Sequence, residues 1–122
     1  MQSFDTATVL DREQLRDVTL DDEALMREIL SALIDDTSRQ IPLLDQAIRE
    51  QNPQKCARLA HYSKGACANV GARRAAAVLK QIERKAAESA FTECGQSLAL
   101  LSQELELLRA EAEVSTSLPV DQ

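Results

Sequence analysis

A histidine, a lysine and a glycine lie within five positions of one another near the middle of this 122-residue chain, and the histidine is the only one in the sequence. On a helix, the spacing of His61, Lys64 and Gly65 places all three on one face. An exposed imidazole that is neutral near pH 7 is a competent nucleophile, and a lysine one turn away can neutralise a transferred anionic group. The spacing therefore predicts group transfer at His61, assisted by the charge of Lys64.

Gly65 supports this prediction because a glycine inside a helix costs about 1 kcal/mol relative to alanine. A helical wheel places Gly65 away from the apolar stripe of its helix, so a close contact in the core does not explain it. A missing side chain beside His61 would let the backbone of another protein approach the imidazole. We therefore interpret Gly65 as the residue that gives steric access to His61.

The predicted helix face around His61 carries mostly small side chains, with two cations among them. A second protein that docks over His61 would meet these positions first, although an ordinary solvated histidine remains an alternative on spacing alone. The predicted partner-binding residues are Ala57, Arg58, Lys64, Ala68 and Asn69.

The elements that must position this face are predicted to be helices. The chain has only two Phe, one Tyr and no Trp, whereas residues with high helix propensity are abundant. Its apolar residues recur with the helical period. We predict an all-α fold, an antiparallel four-helix bundle with a short additional N-terminal helix, because four amphipathic segments are separated by short loops.

Capping residues and turn residues set the expected bounds of these helices. We divide the chain into an N-terminal lead-in at 1–10, the helical bundle at 11–113 and a flexible C-terminal tail at 114–122. Pro42 predicts a kink or break near 38–42, since proline removes a helical hydrogen bond. Asp11 and Asn52 are predicted N-caps, and Gly71 is the predicted stop. The expected helices cover about 11–18, from Asp21 or Asp22 to about 48, about 53–69, about 73–88 and about 91–113.

Charge and cysteine content exclude several functional classes. The net charge of −6 argues against a nucleic-acid partner, whose phosphates require clustered cations. The sequence contains neither an apolar run long enough for a membrane span nor a signal peptide, so we expect a cytoplasmic protein. Cys56, Cys67 and Cys94 lack metal-type spacing and are predicted to be buried apolar residues. We expect no bound metal or cofactor, and a monomer whose four apolar stripes are covered within one chain.

The stretch AHYSKGACANVGA, residues 60–72, resembles the signature of histidine-containing phosphotransfer (HPt) domains. In that family an Ala-His-x-Leu-Lys-Gly pattern precedes small residues and an aliphatic-Gly pair. Ser63 departs from this pattern in replacing the leucine. It is predicted to point into the core, where the hydroxyl of a serine can bond back to a carbonyl one turn earlier. Tyr62 is predicted to lie against a neighbouring helix. Weaker similarities to the family are Phe4-Asp5 and the stretch containing Leu79, Ile82 and Glu83.

The resemblance implies a role for each residue of the predicted site. His61 would be the phosphoacceptor through Nε2, Lys64 would stabilise charge and Gly65 would give access. The chain would be a phosphocarrier without kinase activity of its own, taking a phosphoryl group from a receiver-domain aspartyl phosphate and passing it to another receiver. The implied partners are response-regulator receiver domains, a hybrid sensor kinase, or both, with Mg²⁺ supplied by the receiver.

Two alternatives come from other functional classes. A non-phosphorylated helical interaction module or receiver-binding scaffold would have the bundle without using His61. A histidine kinase dimerisation module usually has an acidic residue directly after its histidine, whereas Tyr62 follows here, and no ATP-binding domain is present in the sequence. The identity of the receivers and the direction of phosphate flow stay open. So does the choice between a free-standing protein, which Met1 favours, and a domain of a larger kinase.

Overall fold

Five α-helices and no strands make up the part of the chain that the structure, a computed structural model, describes, which is residues 8–116. The all-α prediction is therefore confirmed. The helices are α1 Arg12–Thr19, α2 Glu23–Arg49, α3 Pro53–Val70, α4 Arg73–Ala87 and α5 Phe91–Thr116.

The four long helices form a bundle in which each contacts the next along the chain. Helix α3 packs between α2 and α4, while α5 packs on α4 and returns to close the bundle against α2. The connections are only two or three residues long, as expected for antiparallel neighbours. The predicted four-helix bundle with a short helix in front is confirmed, and α1 lies against α2 and α3.

Local capping explains where three of the helices begin. The side chains of Asp11, Asp22 and Asn52 each accept a hydrogen bond from the backbone N–H three residues ahead, at 3.1, 3.0 and 3.1 Å. Pro53 follows at the first position of α3, where its missing N–H costs nothing. These predicted helix starts are confirmed, with Asp22 rather than Asp21 as the cap of α2.

Helix α2 continues through Pro42 without interruption, so of the predicted kink or break near 38–42 the break is wrong, and the kink stays a prediction. Proline removes one hydrogen bond, but the residues on both sides of it are held in the core. Thr37 is 1% exposed and Leu44 is fully buried. Pro42 itself is exposed, so its ring projects away from the core. Burial on both sides of Pro42 therefore outweighs the loss of one backbone hydrogen bond.

The last helix extends further than predicted, and parts of both predicted terminal segments lie outside the described residues. Helix α5 reaches Thr116, three residues beyond its expected end at 113. The remainder of the predicted flexible tail, 117–122, lies outside the described residues, as does Phe4-Asp5 of the predicted lead-in.

The core consists of aliphatic side chains with small residues between them, as the scarcity of aromatic residues predicts. All three cysteines are free and fully buried, which confirms their predicted role as small apolar residues. Burial raises the pKa of Cys56 to about 12 and that of Cys67 to about 11, so both thiols stay protonated. The largest fully buried side chains are Leu30, Leu44, Leu79, Ile82, Leu101 and Leu108.

Helix α1 is attached to the turn between α3 and α4, close to the predicted site. The N–H of Asp11 donates to the carbonyl of Gly71 at 2.8 Å, and Arg73 donates to the Asp11 carboxylate at 2.8 and 3.1 Å. The side-chain bond from Arg73 is the main cause that holds the pKa of Asp11 below its usual value. Gln14 donates to the carbonyls of Ala68 and Asn69 at 2.6 and 3.1 Å. These contacts fix the last turn of α3.

Replacing Gly71 with alanine is expected to destabilise the fold by about 1–3 kcal/mol, the usual cost of a left-handed backbone at a residue other than glycine. Gly71 has φ +97, and an added Cβ would lie 2.8 Å from the Asp11 carbonyl oxygen. The measurement is thermal and urea unfolding of both proteins. The control is Gly95→Ala in α5, where a Cβ meets nothing within 4 Å and stability should rise by up to about 1 kcal/mol. Equal effects of the two substitutions would contradict the argument.

Candidate functional site

His61 lies on the outer side of α3, opposite a stripe of small buried residues. Its side chain is 69% exposed, whereas Ala60 and Cys67 of the same helix are fully buried. The predicted exposure of the imidazole is therefore confirmed. The exposure follows from the helical period, because the buried positions recur every three or four residues and His61 lies outside them.

The surface next to His61 is open at Gly65. A Cβ built on Gly65 meets no atom within 4 Å, so the absence of a side chain there serves no internal contact. Gly65 lies one turn beyond His61, on the exposed side of α3. The surface at Gly65 is therefore open, as predicted, while the role of Gly65 in transfer stays a prediction.

Glu83 on α4 contacts the imidazole from the neighbouring helix. One carboxylate oxygen, Oε2, lies 3.0 Å from Nδ1 of His61, and the other, Oε1, accepts a hydrogen bond from Nζ of Lys64 at 2.7 Å. The Lys64 bond is the main cause that holds the pKa of Glu83 below its usual value of 4.5. Partial burial opposes the shift and the His61 bond adds to it. Glu83 is therefore an ionised acceptor at neutral pH.

This contact determines which nitrogen of His61 carries the proton. An ionised carboxylate can only accept, so Nδ1 must donate to Glu83. In the neutral imidazole the lone pair is then on Nε2. The tautomer is assigned from this hydrogen bond, and it leaves Nε2 as the nucleophilic atom. Sequence reasoning implied Nε2 only through the family resemblance, whereas the structure supplies a physical reason.

Lys64 has a more specific environment than the sequence suggests. We expected a flexible ammonium reaching toward a group on the imidazole, but in the structure its side chain is only 28% exposed and bonded to Glu83. The cation therefore lies beside the site in a fixed position, held by the carboxylate that also orients His61. Sequence reasoning missed this role of Glu83, although the family pattern included the residue.

The predicted partner-binding residues lie on the face that carries His61, but they do not share one groove, and Ala57 and Arg58 line neither of the two grooves beside it. Arg58, Ala68 and Asn69 are exposed, and Ala57 is half-buried. Ala68 lines an open groove between α3 and α4 of about 380 Å³, whereas Asn69 lines one between α2 and α3 of about 410 Å³. We call the first the cationic groove, lined by Lys64, Gly65, Ala68, Arg73, Ala77 and Lys80 among others. We call the second the apolar groove, lined by Ile29, Ala32, Leu33, Asp36, Asn69 and Val70 among others.

Of the expectations about two residues beside His61, that for Tyr62 is wrong, and that for Ser63 is confirmed in its burial but not in its hydrogen bond. Tyr62 is 59% exposed, so it does not pack on a neighbouring helix, because position 62 lies outside the buried stripe of α3. Ser63 is buried at 1% exposure, but its hydroxyl has no hydrogen-bond partner among the described residues. The expected bond to a carbonyl one turn earlier does not form, and a polar atom is left unsatisfied beneath the site.

Two further findings concern metals and membranes. Within residues 8–116, no three His, Cys, Asp or Glu side chains are grouped so that they could hold a metal ion. In the same part of the chain, none of the helices has the length and apolar character that crossing a bilayer requires.

The sequence of this chain matches one protein-family model over most of the bundle. The family model described as Hpt domain matches residues 28–111, a span that includes His61, Lys64, Gly65 and Glu83. No curated protein sequence matched the chain.

Two solved structures share the fold. Histidine-containing phosphotransfer protein B (HptB) from Pseudomonas aeruginosa PAO1 is similar with a TM-score of 0.82 and 21% identity, covering 91% of this chain and 96% of that one. A rice protein described as a candidate histidine-containing phosphotransfer protein has a TM-score of 0.79 and 20% identity, covering 94% and 84%. At these identities the likeness concerns the helical bundle itself.

Proposed function

Since the chain belongs to the Hpt domain family, whose members act in phosphorelays, we propose that it carries a phosphoryl group on His61 between receiver domains. In this proposal it takes the group from the aspartyl phosphate of one receiver and gives it to the aspartate of another. The single observation that carries the proposal is the Glu83–Nδ1 contact, which leaves the lone pair of an exposed imidazole at Nε2.

The transfer step follows from the roles of the two ring nitrogens. The lone pair of Nε2 attacks phosphorus in line, and the bond from phosphorus to the aspartyl oxygen breaks. The electron pair leaves with the carboxylate of the receiver. The ring becomes positively charged while Nδ1 keeps its proton, and the Glu83 carboxylate stabilises that charge at 3.0 Å. A second receiver reverses the step with its own aspartate.

Lys64 supplies the positive charge nearest to this step. Its ammonium has three donors, of which one is directed at Glu83 at 2.7 Å, so another can contact an oxygen of the phosphoryl group. The remaining requirements, including Mg²⁺, we assign to the receiver. We propose that the chain works as a monomeric carrier without kinase activity of its own. A cytoplasmic location stays a prediction.

The experiment that tests the proposal is incubation of the chain with a panel of phosphorylated receiver domains. We expect a phosphoryl label that is acid-labile and base-stable, and that peptide mapping places on His61. Incubation with Mg²⁺ and ATP alone should give no label. Label at any residue other than His61, or label from ATP alone, would contradict the proposal.

Glu83 is expected to act as a positioning residue for His61. Replacing it with alanine removes the acceptor of the Nδ1 proton, and the rate of transfer should fall by about 10- to 100-fold, as for other groups that orient a reactive histidine. Glu83→Gln keeps an oxygen that can accept from Nδ1, so it should recover most of that loss. The measurement is single-turnover transfer at saturating receiver.

The pH dependence of stability tests whether Glu83 is ionised and paired in the folded protein. A carboxyl group with a lowered pKa stabilises the fold above its usual value of 4.5, and this contribution disappears as the pH falls through the lowered pKa. The wild type should therefore lose more stability in that acid range than Glu83→Gln, while the loss that comes from Asp11, whose pKa is also lowered, is common to both. Equal transfer rates of wild type and Glu83→Ala would refute the positioning role.

A further inference from the structure

The charges of this acidic protein are unevenly distributed, and His61 lies in the positive part. Residues 53–87, which comprise α3, α4 and the turn between them, contain eight Lys or Arg residues and one acidic residue. The rest of the chain contains six Lys or Arg residues and nineteen acidic residues. The one acidic residue is Glu83, which is already bonded to His61 and Lys64. Five of the eight cations form ion pairs, four of them with carboxylates outside this segment. The cations left to attract a negatively charged partner are Arg58, Lys80 and Arg84, which are exposed and form no ion pair among the described residues.

The cationic groove is the concave part of this positive surface. Its floor is made of Gly65, Ala68 and Ala77, whose small side chains let another backbone approach closely. Lys64 lies at the His61 side, Lys80 lines the groove on α4, and Arg73 and Gln14 also border it. Among residues 8–116, no carboxylate lines it.

Lys80 is the cation of this groove whose charge is most available to a partner. Arg73 is bonded to Asp11 and Lys64 to Glu83, whereas Lys80 is exposed and forms no ion pair among the described residues. An unpaired exposed cation next to a floor of small residues favours a negatively charged occupant.

The apolar groove on the other side of α3 has the opposite character. Its walls are mostly Ile29, Ala32, Leu33 and Val70, and Asp36 is the one charged residue that lines it in the described part of the chain. A carboxylate brought into it would be repelled by Asp36 and would lose solvation without a cation to compensate. Charge complementarity therefore distinguishes the two grooves for an acidic partner.

We propose that the cationic groove, which adjoins the transfer site at Lys64 and Gly65, is the place where the receiver domain docks an acidic segment. This inference rests on the proposed function and adds the chemistry of the docking surface. Lys80 attracts the carboxylates of the segment, while the small floor residues admit its backbone. Docking there increases the rate of encounter and holds the aspartyl phosphate near Nε2.

A pair of variants with the same change in net charge tests the proposal. Lys80→Gln removes a positive charge inside the groove, and Gln81→Glu adds a negative charge at the neighbouring exposed position, which does not line it. We expect the second-order rate constant of transfer to fall about fivefold at low salt for Lys80→Gln, and less than about twofold for Gln81→Glu. The difference should shrink as salt screens the charges.

A second pair of variants tests the groove by its shape. Ala77→Gln fills the cationic groove and Ala32→Gln fills the apolar groove, each by the same uncharged side chain on a helix. We expect the apparent affinity for the receiver to weaken about fivefold or more for Ala77→Gln only. Circular dichroism and thermal unfolding verify that both variants fold.

The outcomes separate this inference from the proposed function. If the wild type is not labelled by any phosphorylated receiver, the proposed function fails. If the wild type is labelled but Lys80→Gln and Gln81→Glu slow transfer equally, only net charge matters and the groove is not a docking site. If Ala32→Gln weakens binding and Ala77→Gln does not, the receiver uses the apolar groove and the inference is overturned.

Discussion

His61→Gln is expected to abolish phosphoryl transfer, with a loss of at least about a thousandfold, because it removes the only imidazole in the chain. Glutamine has no nitrogen lone pair that can attack phosphorus. The measurement is the amount of acid-labile label after incubation with a phosphorylated receiver. The fold should be retained, since the His61 side chain is 69% exposed and exposed substitutions usually change stability by less than about 0.5 kcal/mol.

The same variant distinguishes the carrier from a scaffold. A scaffold that only occupies the receiver would be unaffected by loss of His61 in both binding and function. A carrier should keep its affinity for the receiver and lose the label. Comparable label on wild type and His61→Gln would mean that His61 is not the acceptor, and the proposed function would be abandoned.

Gly65→Gln is expected to reduce the second-order rate of transfer by about 100-fold or more, the scale on which a small misplacement of reacting groups acts. The new side chain would project from the surface one turn from His61, in the path of an approaching receiver. Because a Cβ at this position meets nothing within 4 Å, stability should stay within about 1 kcal/mol of wild type. Transfer and unfolding are measured on the same preparation.

Gly95→Gln provides a matched control for this prediction. It makes the same substitution within α5, where a Cβ also meets nothing within 4 Å, but on a helix that does not carry the site. Its transfer rate should equal that of wild type. If Gly65→Gln transfers as fast as Gly95→Gln, steric access is not the reason for the glycine.

Local signals were sufficient to predict most of the fold. Helix caps depend on contacts within a few residues, so they can be predicted from the sequence alone. Examples are the N-caps at Asp11 and Asn52 and the left-handed residue Gly71 that ends α3. The predicted break at Pro42 was wrong because its outcome depends on burial of the residues on either side. Tertiary contacts decide such cases, and one sequence alone does not show them.

The site divides in the same way between local and tertiary information. The exposure of His61 and the open surface at Gly65 follow from the period of one helix and were predicted. The role of Glu83 was not predicted, because Glu83 lies 22 residues after His61 in the chain, on a different helix. Its contact with His61 depends on how α4 is rotated against α3. The unsatisfied hydroxyl of Ser63 was not predicted either, because its hydrogen bonding depends on which groups of the other helices surround it.

The pairing of Lys64 with Glu83 has a consequence for reversibility. The charge of an ammonium that is bonded to a carboxylate at 2.7 Å is partly offset before a phosphoryl group arrives. A second N–H of Lys64 that contacts a phosphoryl oxygen therefore stabilises the loaded state less than an unpaired ammonium would. If the chain is the proposed carrier, we therefore expect His61 to give up its phosphoryl group more readily than a histidine beside an unpaired lysine would.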